Sequence, residues 1–287
     1  MDSLETALAF RRQVCLDNPQ DLPGSCEYMD RDAFDVVDRS GRVLGNMIQW
    51  VGTSSPWLRS LWNIKLSIEA LPFAGAPLWV DSLLHWMNPI WPAILPSHIM
   101  ETGQSKDHHI AMTVGDFGDG NMERLLQRMK EFQEKHSDEL VVHECTTPRQ
   151  VQSLTAFRFV AAPAFRTWCV GQGVQGFSVD YALPKNGGST PPLTLAKPLT
   201  RMRYSHFGCN VVHEDLAFAN EVDIEQVKYA LKKTVKHECS GKLPAEHGHG
   251  TEYEAPSATQ ARWQRIDPLN VTMNPGVGKT SMKPNYE

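Results

Sequence analysis

The stretch HIAMTVGDFGDGNMERLLQRMKEFQEKHSDELVVH, residues 109–143, carries the clearest pattern of secondary structure in this sequence. Apolar residues at every second position predict a half-buried strand over 109–114. Apolar residues at steps of three and four predict a helix from Asn121 to Lys135. The residues at 139–143 predict a second strand, so that strand, helix and strand form one βαβ unit.

Further elements are expected on the C-terminal side of this unit. Alternation predicts a strand over 176–184 and a shorter one over 201–207. Apolar spacing predicts a helix from Ile224 to His237, and another helix is expected within 148–165. This order of elements predicts an α+β fold with a ferredoxin-like antiparallel sheet and helices packed on it.

The composition is that of an ordinary soluble globular protein. The chain has 287 residues, a formal charge of −5, and 41% hydrophobic residues. A mildly acidic balance argues against broad nucleic-acid binding, which needs a concentrated basic surface. The uncharged stretch between Asp81 and Glu101 approaches the length of a membrane span, but its prolines exclude a transmembrane helix there.

Tryptophan is concentrated in one part of the chain. Six of the eight tryptophans lie between positions 50 and 91. Within this region, residues 57–73 place apolar side chains at helical spacing, and tryptophan prefers the headgroup boundary of a bilayer. The region is therefore suited to lie on a membrane. The alternative is that these side chains fill a soluble core or cover a partner subunit.

Two histidines, His206 and His213, stand seven residues apart in HFGCNVVH. An extended strand would separate them by about 23 Å at about 3.3 Å per residue, too far for two ligands of one metal. Gly208 and Asn210 favour a turn, which would bring the histidines together and leave an oxygen ligand to come from Glu246. The alternative is that their spacing arises by chance and that each histidine is exposed or satisfied elsewhere.

Arg158 lies among apolar neighbours in the helix expected within 148–165. A buried guanidinium needs an anion, and the residues alone leave its nature open. A structural ion pair and a partly exposed arginine whose stem packs on its neighbours are the alternatives to a role in ligand binding.

Four motifs carry a resemblance to a known family. They are EYMDRDAFD (27–35), HFGCNVVHED (206–215), PAEHGHG (244–250) and DPLNVTMNPGVGKTS (267–281). Together they resemble the C-terminal half of the quinone-dependent, FAD-containing D-lactate dehydrogenases, flavoproteins of the vanillyl-alcohol-oxidase type. The resemblance extends over nearly the whole chain.

The resemblance implies a division of the chain into interleaved domains. It implies a cap at 1–25 and 103–237, a membrane-binding region at 26–102, and the C-terminal segment of a flavin domain at 238–287. FAD is bound in this family mainly by an N-terminal domain, which we expect to be absent from this chain. We therefore expect the chain to work with a flavin domain in cis or in trans and to be inactive alone.

The implied reaction is the oxidation of D-lactate, or a similar 2-hydroxyacid, to pyruvate, with electrons passing through FAD to a quinone. By resemblance, His247 would remove the hydroxyl proton as hydride leaves for the flavin. His206, His213 and Glu246 would hold a divalent metal, and Arg158 would pair with the substrate carboxylate.

The implied location is peripheral, on the cytoplasmic side of a membrane. A competing interpretation is a non-catalytic membrane-binding or interaction module that retains these motifs.

Overall fold

The computed structural model describes residues 1–52, 55–116, 118–184, 190–244, 253–271 and 275–287. The strands within these ranges are β1 (Ser25–Asp30), β2 (His108–Thr113), β3 (Gln175–Ala182), β4 (Thr200–His206) and β5 (Val211–Phe218). They form one antiparallel sheet in the order β2-β1-β4-β5-β3. The predicted α+β class with an antiparallel sheet is confirmed.

Helices surround this sheet and make up most of the remaining described chain. They are α1 (Leu4–Phe10), α2 (Arg31–Ser40), α3 (Arg42–Val51), α4 (Pro56–Glu69), α5 (Ala76–Met87), α6 (Ser97–Ser105), α7 (Asn121–Lys135), α8 (Pro148–Phe159), α9 (Ala161–Gln172), α10 (Ile224–His237) and α11 (Ser257–Ile266). The periodicity-based predictions of β2, α7, β3, β4 and α10 are confirmed.

The strand predicted at 139–143 is wrong. Only Leu140 is buried there, against α7, whereas Val141 and Val142 are about half exposed. β1 occupies the place beside β2 and pairs with it from Ser25 opposite Thr113 to Asp30 opposite His108. β2 is therefore an edge strand whose neighbour precedes it in the chain. Among the described residues of 109–143, no second strand follows α7, so the predicted βαβ unit is not formed.

The two faces of the sheet bury different helices. Met29, Met202 and Tyr204 lie on one face, against a core formed mainly by α2, α8 and α9. The other face carries two separate clusters, one beneath α1 and α7 and one beneath α10. Because each large apolar side chain contributes about 1.5–3 kcal/mol when fully buried, these three clusters dominate the stability of the fold.

The tryptophan-rich helices lie outside the sheet core. α5 packs on α9, and α4 packs on α5 although none of the residues of α4 is fully buried. Among the residues that the structure describes, every helix is too short or too polar to span a bilayer. α2 and all of β1 except Ser25 fall in the interval 26–102, yet β1 is an inner strand of the sheet and α2 packs on β4.

Candidate functional site

The predicted turn between the two histidines is present as the β4–β5 hairpin. β4 ends at His206, β5 begins at Val211, and Asn210 adopts the left-handed conformation that a tight turn requires, with φ of 59°. His213 lies opposite Tyr204, so both histidines project from one face of the hairpin. The centroids of the two imidazole rings are 5.4 Å apart.

Each imidazole is held by a carboxylate on a neighbouring strand. The Nδ1 atom of His206 lies 2.9 Å from Oε1 of Glu27, and Nδ1 of His213 lies 2.7 Å from Oδ1 of Asp180. The register explains both contacts, since Glu27 on β1 lies opposite His206 and Asp180 on β3 lies opposite His213. A carboxylate at Nδ1 fixes the tautomer and makes Nε2 the nitrogen for a metal or a proton.

Arg158 joins this arrangement from α8. Its Nε donates a hydrogen bond to Oε2 of Glu27 at 3.1 Å, and its guanidinium carbon lies 4.7 Å from the centroid of the Tyr204 ring. Arg158 therefore forms an ion pair with Glu27, which is one of the alternatives that the sequence left open. Among the described residues, Nη1 and Nη2 of Arg158 have no hydrogen-bond partner. These two nitrogens can therefore donate hydrogen bonds to a second anion.

Glu27 therefore holds a histidine with one oxygen and an arginine with the other. Burial alone would raise the pKa of Glu27, but the hydrogen bond from His206 and the charge of Arg158 hold it below its ordinary value. The carboxylate is accordingly ionised at neutral pH. Sequence reasoning included Glu27 in a motif but assigned it no role, and it did not identify Asp180.

A buried layer supports the histidines from below. The ring of Tyr204 stacks on that of His213 with centroids 5.3 Å apart, and the Tyr204 hydroxyl donates to Oδ2 of Asp215 at 2.9 Å. Ser178 donates to the other oxygen of Asp215. Burial raises the pKa of Asp215 to about 6. These contacts fix the ring of Tyr204, and hence the surface against which His213 and Arg158 rest.

Glu246 and His247 lie outside the described residues, so the structure does not locate the predicted third ligand or the predicted base. Described residues on either side of them contact β3. Lys242 exchanges backbone hydrogen bonds with Ala182, and the Tyr253 hydroxyl accepts from the backbone N–H of Asp180. Within the described parts of the chain, no three His, Cys, Asp or Glu side chains are grouped to hold a metal ion.

The donor set nevertheless suits a metal in part. Two imidazoles within 5.4 Å, each oriented by a carboxylate, match the pattern by which proteins position histidine ligands, and one oxygen ligand would complete a common N/O set.

Comparison with known proteins extends this description. A family model described as "D-lactate dehydrogenase, membrane binding" matches residues 1–286. The chain is 28% identical over 297 residues to the quinone-dependent D-lactate dehydrogenase of Escherichia coli (strain K12), covering 99% of this chain and 49% of the relative. It is 30% identical over 287 residues to the quinone-dependent D-lactate dehydrogenase of Corynebacterium glutamicum, covering 94% and 48%.

A third relative gives the same picture. The chain is 27% identical over 291 residues to the quinone-dependent D-lactate dehydrogenase of Haemophilus influenzae, covering 97% of this chain and 50% of the relative. The chain thus spans about half the length of the curated relatives it matches, and the matched part is the second half of each.

Proposed function

This chain belongs to the family described as D-lactate dehydrogenase, membrane binding, and on that premise we propose that it forms the cap and membrane-contact portion of a quinone-dependent D-lactate dehydrogenase. The proposed reaction converts D-lactate, or a similar 2-hydroxyacid, to pyruvate. FAD, held by a flavin domain in cis or in trans, would accept the hydride and pass the electrons to a quinone. The observation that carries this proposal is the pair of carboxylate-held histidines beside Arg158.

The proposal gives the two histidines the role of metal ligands. His206 and His213 would each bind through Nε2, with Glu246 as the oxygen ligand. A divalent metal bound there would polarise the 2-hydroxyl of the substrate and lower the cost of its ionisation. Glu27 and Asp180 support this role, because carboxylates at Nδ1 hold both rings in one tautomer and one orientation.

Arg158 is the proposed partner of the substrate carboxylate. Its Nε bond to Glu27 and its contact with Tyr204 fix the plane of the guanidinium before a ligand arrives. A planar guanidinium offers two parallel N–H groups to a carboxylate, which selects for substrate orientation as well as charge. A lysine in this position would supply the charge without that geometry.

His247 is the proposed general base that removes the hydroxyl proton as hydride leaves. This role rests on the EHG motif at 246–248. Two observations support it, namely that the described residues on either side, Lys242 and Tyr253, both contact the strand that carries Asp180.

The tryptophan-rich helices are the proposed membrane contact. Residues 26–102 are the proposed membrane-binding region, with the contact itself confined to about 50–91, because β1 and α2 are part of the cap. The remaining cap would comprise 1–25 and 103–237, and 238–287 would complete the flavin domain. We propose that the chain is peripheral and acts on the cytoplasmic face of the membrane.

Reconstitution tests the catalytic proposal. The chain is combined with a flavin domain of the same family, and D-lactate-dependent quinone reduction is followed for wild type, His247→Ala and Arg158→Lys. We expect His247→Ala to abolish turnover, and Arg158→Lys to raise KM for D-lactate with a smaller change in kcat. Tyr229→Ala, an exposed aromatic residue on α10, is the matched control. Absence of a rate in a complex that retains FAD would favour the non-catalytic module.

A metal measurement tests the ligand assignment separately. Bound divalent metal is compared in wild type, His206→Ala and His213→Ala after identical loading and desalting. We expect both variants to lose the metal that wild type retains, and equal retention in all three would remove the histidines from the metal site.

A further inference from the structure

We propose that this chain attaches to a bilayer by inserting an uncharged apolar surface, and that attachment does not depend on anionic lipid. The inference rests on the proposed function in one respect, since it takes a lipid bilayer as the partner of the tryptophan-rich helices. It specifies the lipid chemistry that this surface recognises.

The surface consists of large side chains that are more than half exposed, which we call the apolar surface. It comprises Trp50, Trp57, Trp62, Ile64, Trp79, Trp86 and Ile90, with exposed fractions from 51% to 75%. Exposed tryptophans are uncommon on a protein that has no apolar partner, because each leaves a large ring in water. Tryptophan is also the side chain that settles best at the boundary between headgroups and hydrocarbon.

Charge is almost absent from the same region. Residues 43–100 contain four charged side chains, Arg59, Lys65, Glu69 and Asp81. Two are basic and two are acidic, so the region has no net charge when its histidines are neutral. Segments that recognise anionic lipid through charge use clusters of about four to eight lysines or arginines, which this region does not contain.

Three of these four charged side chains, Lys65, Glu69 and Asp81, point toward α9 and not toward solvent. Lys65 pairs with Glu69 and, at 3.1 Å, with Asp81. Arg166 of α9 pairs with Asp81 at 2.7 Å and with Glu69 at 3.1 Å. The side chains of Lys65, Glu69 and Asp81 are only 11%, 13% and 3% exposed. Arg59 is therefore the one charge in 43–100, among the described residues, that stands outside this network.

The network and the packing beneath it determine which side faces outward. An added Cβ at Gly171 of α9 would lie 2.1 Å from Nδ1 of His85, so α5 sits directly on α9. With Lys65, Glu69 and Asp81 turned inward, the tryptophans remain on the outer side, and Arg59 is the one charge of α4 and α5 among them. Insertion would bury apolar rings and leave almost no charge to desolvate, which favours hydrophobic partition over electrostatic attraction.

The test is vesicle flotation of the full 287-residue chain. Vesicles of phosphatidylcholine alone are compared with an equimolar mixture of phosphatidylcholine and phosphatidylglycerol. Each is assayed at about 0.01 M and about 1 M salt, where the Debye length falls from about 30 Å to about 3 Å. We expect the bound fraction to be the same on both kinds of vesicle and not to fall at high salt.

Three variants sharpen the comparison. The triple variant Trp57→Ala, Trp62→Ala, Trp86→Ala should bind both kinds of vesicle about tenfold or more weakly, since each ring would lose its apolar burial. Arg59→Gln should bind like wild type, because the charge it removes does not drive attachment. Tyr229→Ala, which removes an equally exposed ring from α10, should also bind like wild type.

The outcomes separate the inference from the proposed membrane contact. Flotation only with anionic vesicles, lost at high salt or in Arg59→Gln, would overturn the inference and leave membrane contact intact. Failure to float with either kind of vesicle would overturn both. If the chain instead forms a dimer that the triple variant cannot form, a second copy of this chain is the partner of the apolar surface.

Discussion

Glu27→Gln replaces the carboxylate that both His206 and Arg158 contact. An amide has one oxygen that can accept a hydrogen bond, whereas the carboxylate accepts from both residues at once. With the amide oxygen accepting from Arg158, the amide N–H₂ group faces Nδ1 of His206, so that contact is kept only in the imidazole tautomer that carries its proton on Nε2. Neither contact then involves a charged acceptor. The positive charge of Arg158 also loses its counter-ion.

The free energy of unfolding lost in Glu27→Gln depends on how exposed Glu27, Arg158 and His206 are. A hydrogen bond to a charged group contributes about 1.5–3 kcal/mol when buried, whereas an exposed ion pair contributes about 0.2–1 kcal/mol. Glu27 and Arg158 are 22% and 20% exposed and His206 is 55% exposed, so the site lies between these limits. We expect Glu27→Gln to lower the free energy of unfolding by about 1 kcal/mol at neutral pH.

The same variant changes how stability depends on pH. The pKa of Glu27 in the folded chain is lower than its ordinary value, so its contribution is present above about pH 4.3 and is lost as the pH falls through the lower folded value. Wild type should therefore exceed Glu27→Gln in stability at neutral pH, and the difference should shrink in acid. Urea unfolding followed by tryptophan fluorescence measures both quantities.

Metal binding gives the second measurement on this variant. Loss of the group that orients a histidine ligand lowers metal affinity by about 10–100-fold, so Zn²⁺ should bind Glu27→Gln correspondingly more weakly. Glu134→Gln, at an exposed position on α7, is the matched control. The reasoning is refuted if Glu27→Gln matches this control in stability, in its pH dependence and in Zn²⁺ affinity.

Two further substitutions test the cap itself. Burial raises the pKa of Asp30 to about 7, above the unfolded value of about 3.9, so this group stabilises the fold below about pH 4 and loses that contribution as the pH rises through 7. Asp30→Asn keeps a side chain that can cap the N-terminus of α2. As the pH rises from about 5 to about 8, its free energy of unfolding, measured in urea, should increase relative to that of wild type. A difference between the two proteins that does not change with pH would contradict this prediction. Gly103→Ala would place a Cβ 2.2 Å from Cζ of the buried Phe34 ring and should lower the free energy of unfolding by about 1–3 kcal/mol. Gly208→Ala, where nothing lies within 4 Å of the added Cβ, is the control and should lower it much less. Equal melting temperatures for the two variants would show that the core around Phe34 adjusts to the added methyl group.

Periodicity predicted those elements whose two faces differ in polarity. β2, β3, α7 and α10 each place apolar residues on one side, and the sequence alone was sufficient to find them. β5 was harder, because Glu214 and Asp215 are buried there and interrupt any apolar pattern. Their burial becomes understandable only with the sheet in place, where Tyr181 donates to Glu214 and Tyr204 donates to Asp215.

The candidate site was predictable in its local part only. The turn between His206 and His213 follows from residues within the hairpin itself. The partners Glu27 and Asp180 lie 179 and 33 residues away from these histidines, and strand register alone makes them neighbours. β1 was not predicted, because Glu27 and Asp30 give the short strand SCEYMD a polar character.

Consecutive helices connect the apolar surface to the candidate site. Arg158 lies on α8, and α9, which begins at Ala161 directly after Val160, carries the Arg166 and Gly171 positions on which α4 and α5 are seated. A helix of 12 residues is about 18 Å long, so α9 is a rigid connection between the apolar surface and the candidate site. If the apolar surface lies on a bilayer, the packing of α9 against α4 and α5 would determine the height and tilt of the candidate site above the lipid. A flexible linker in place of α9 would leave both undetermined.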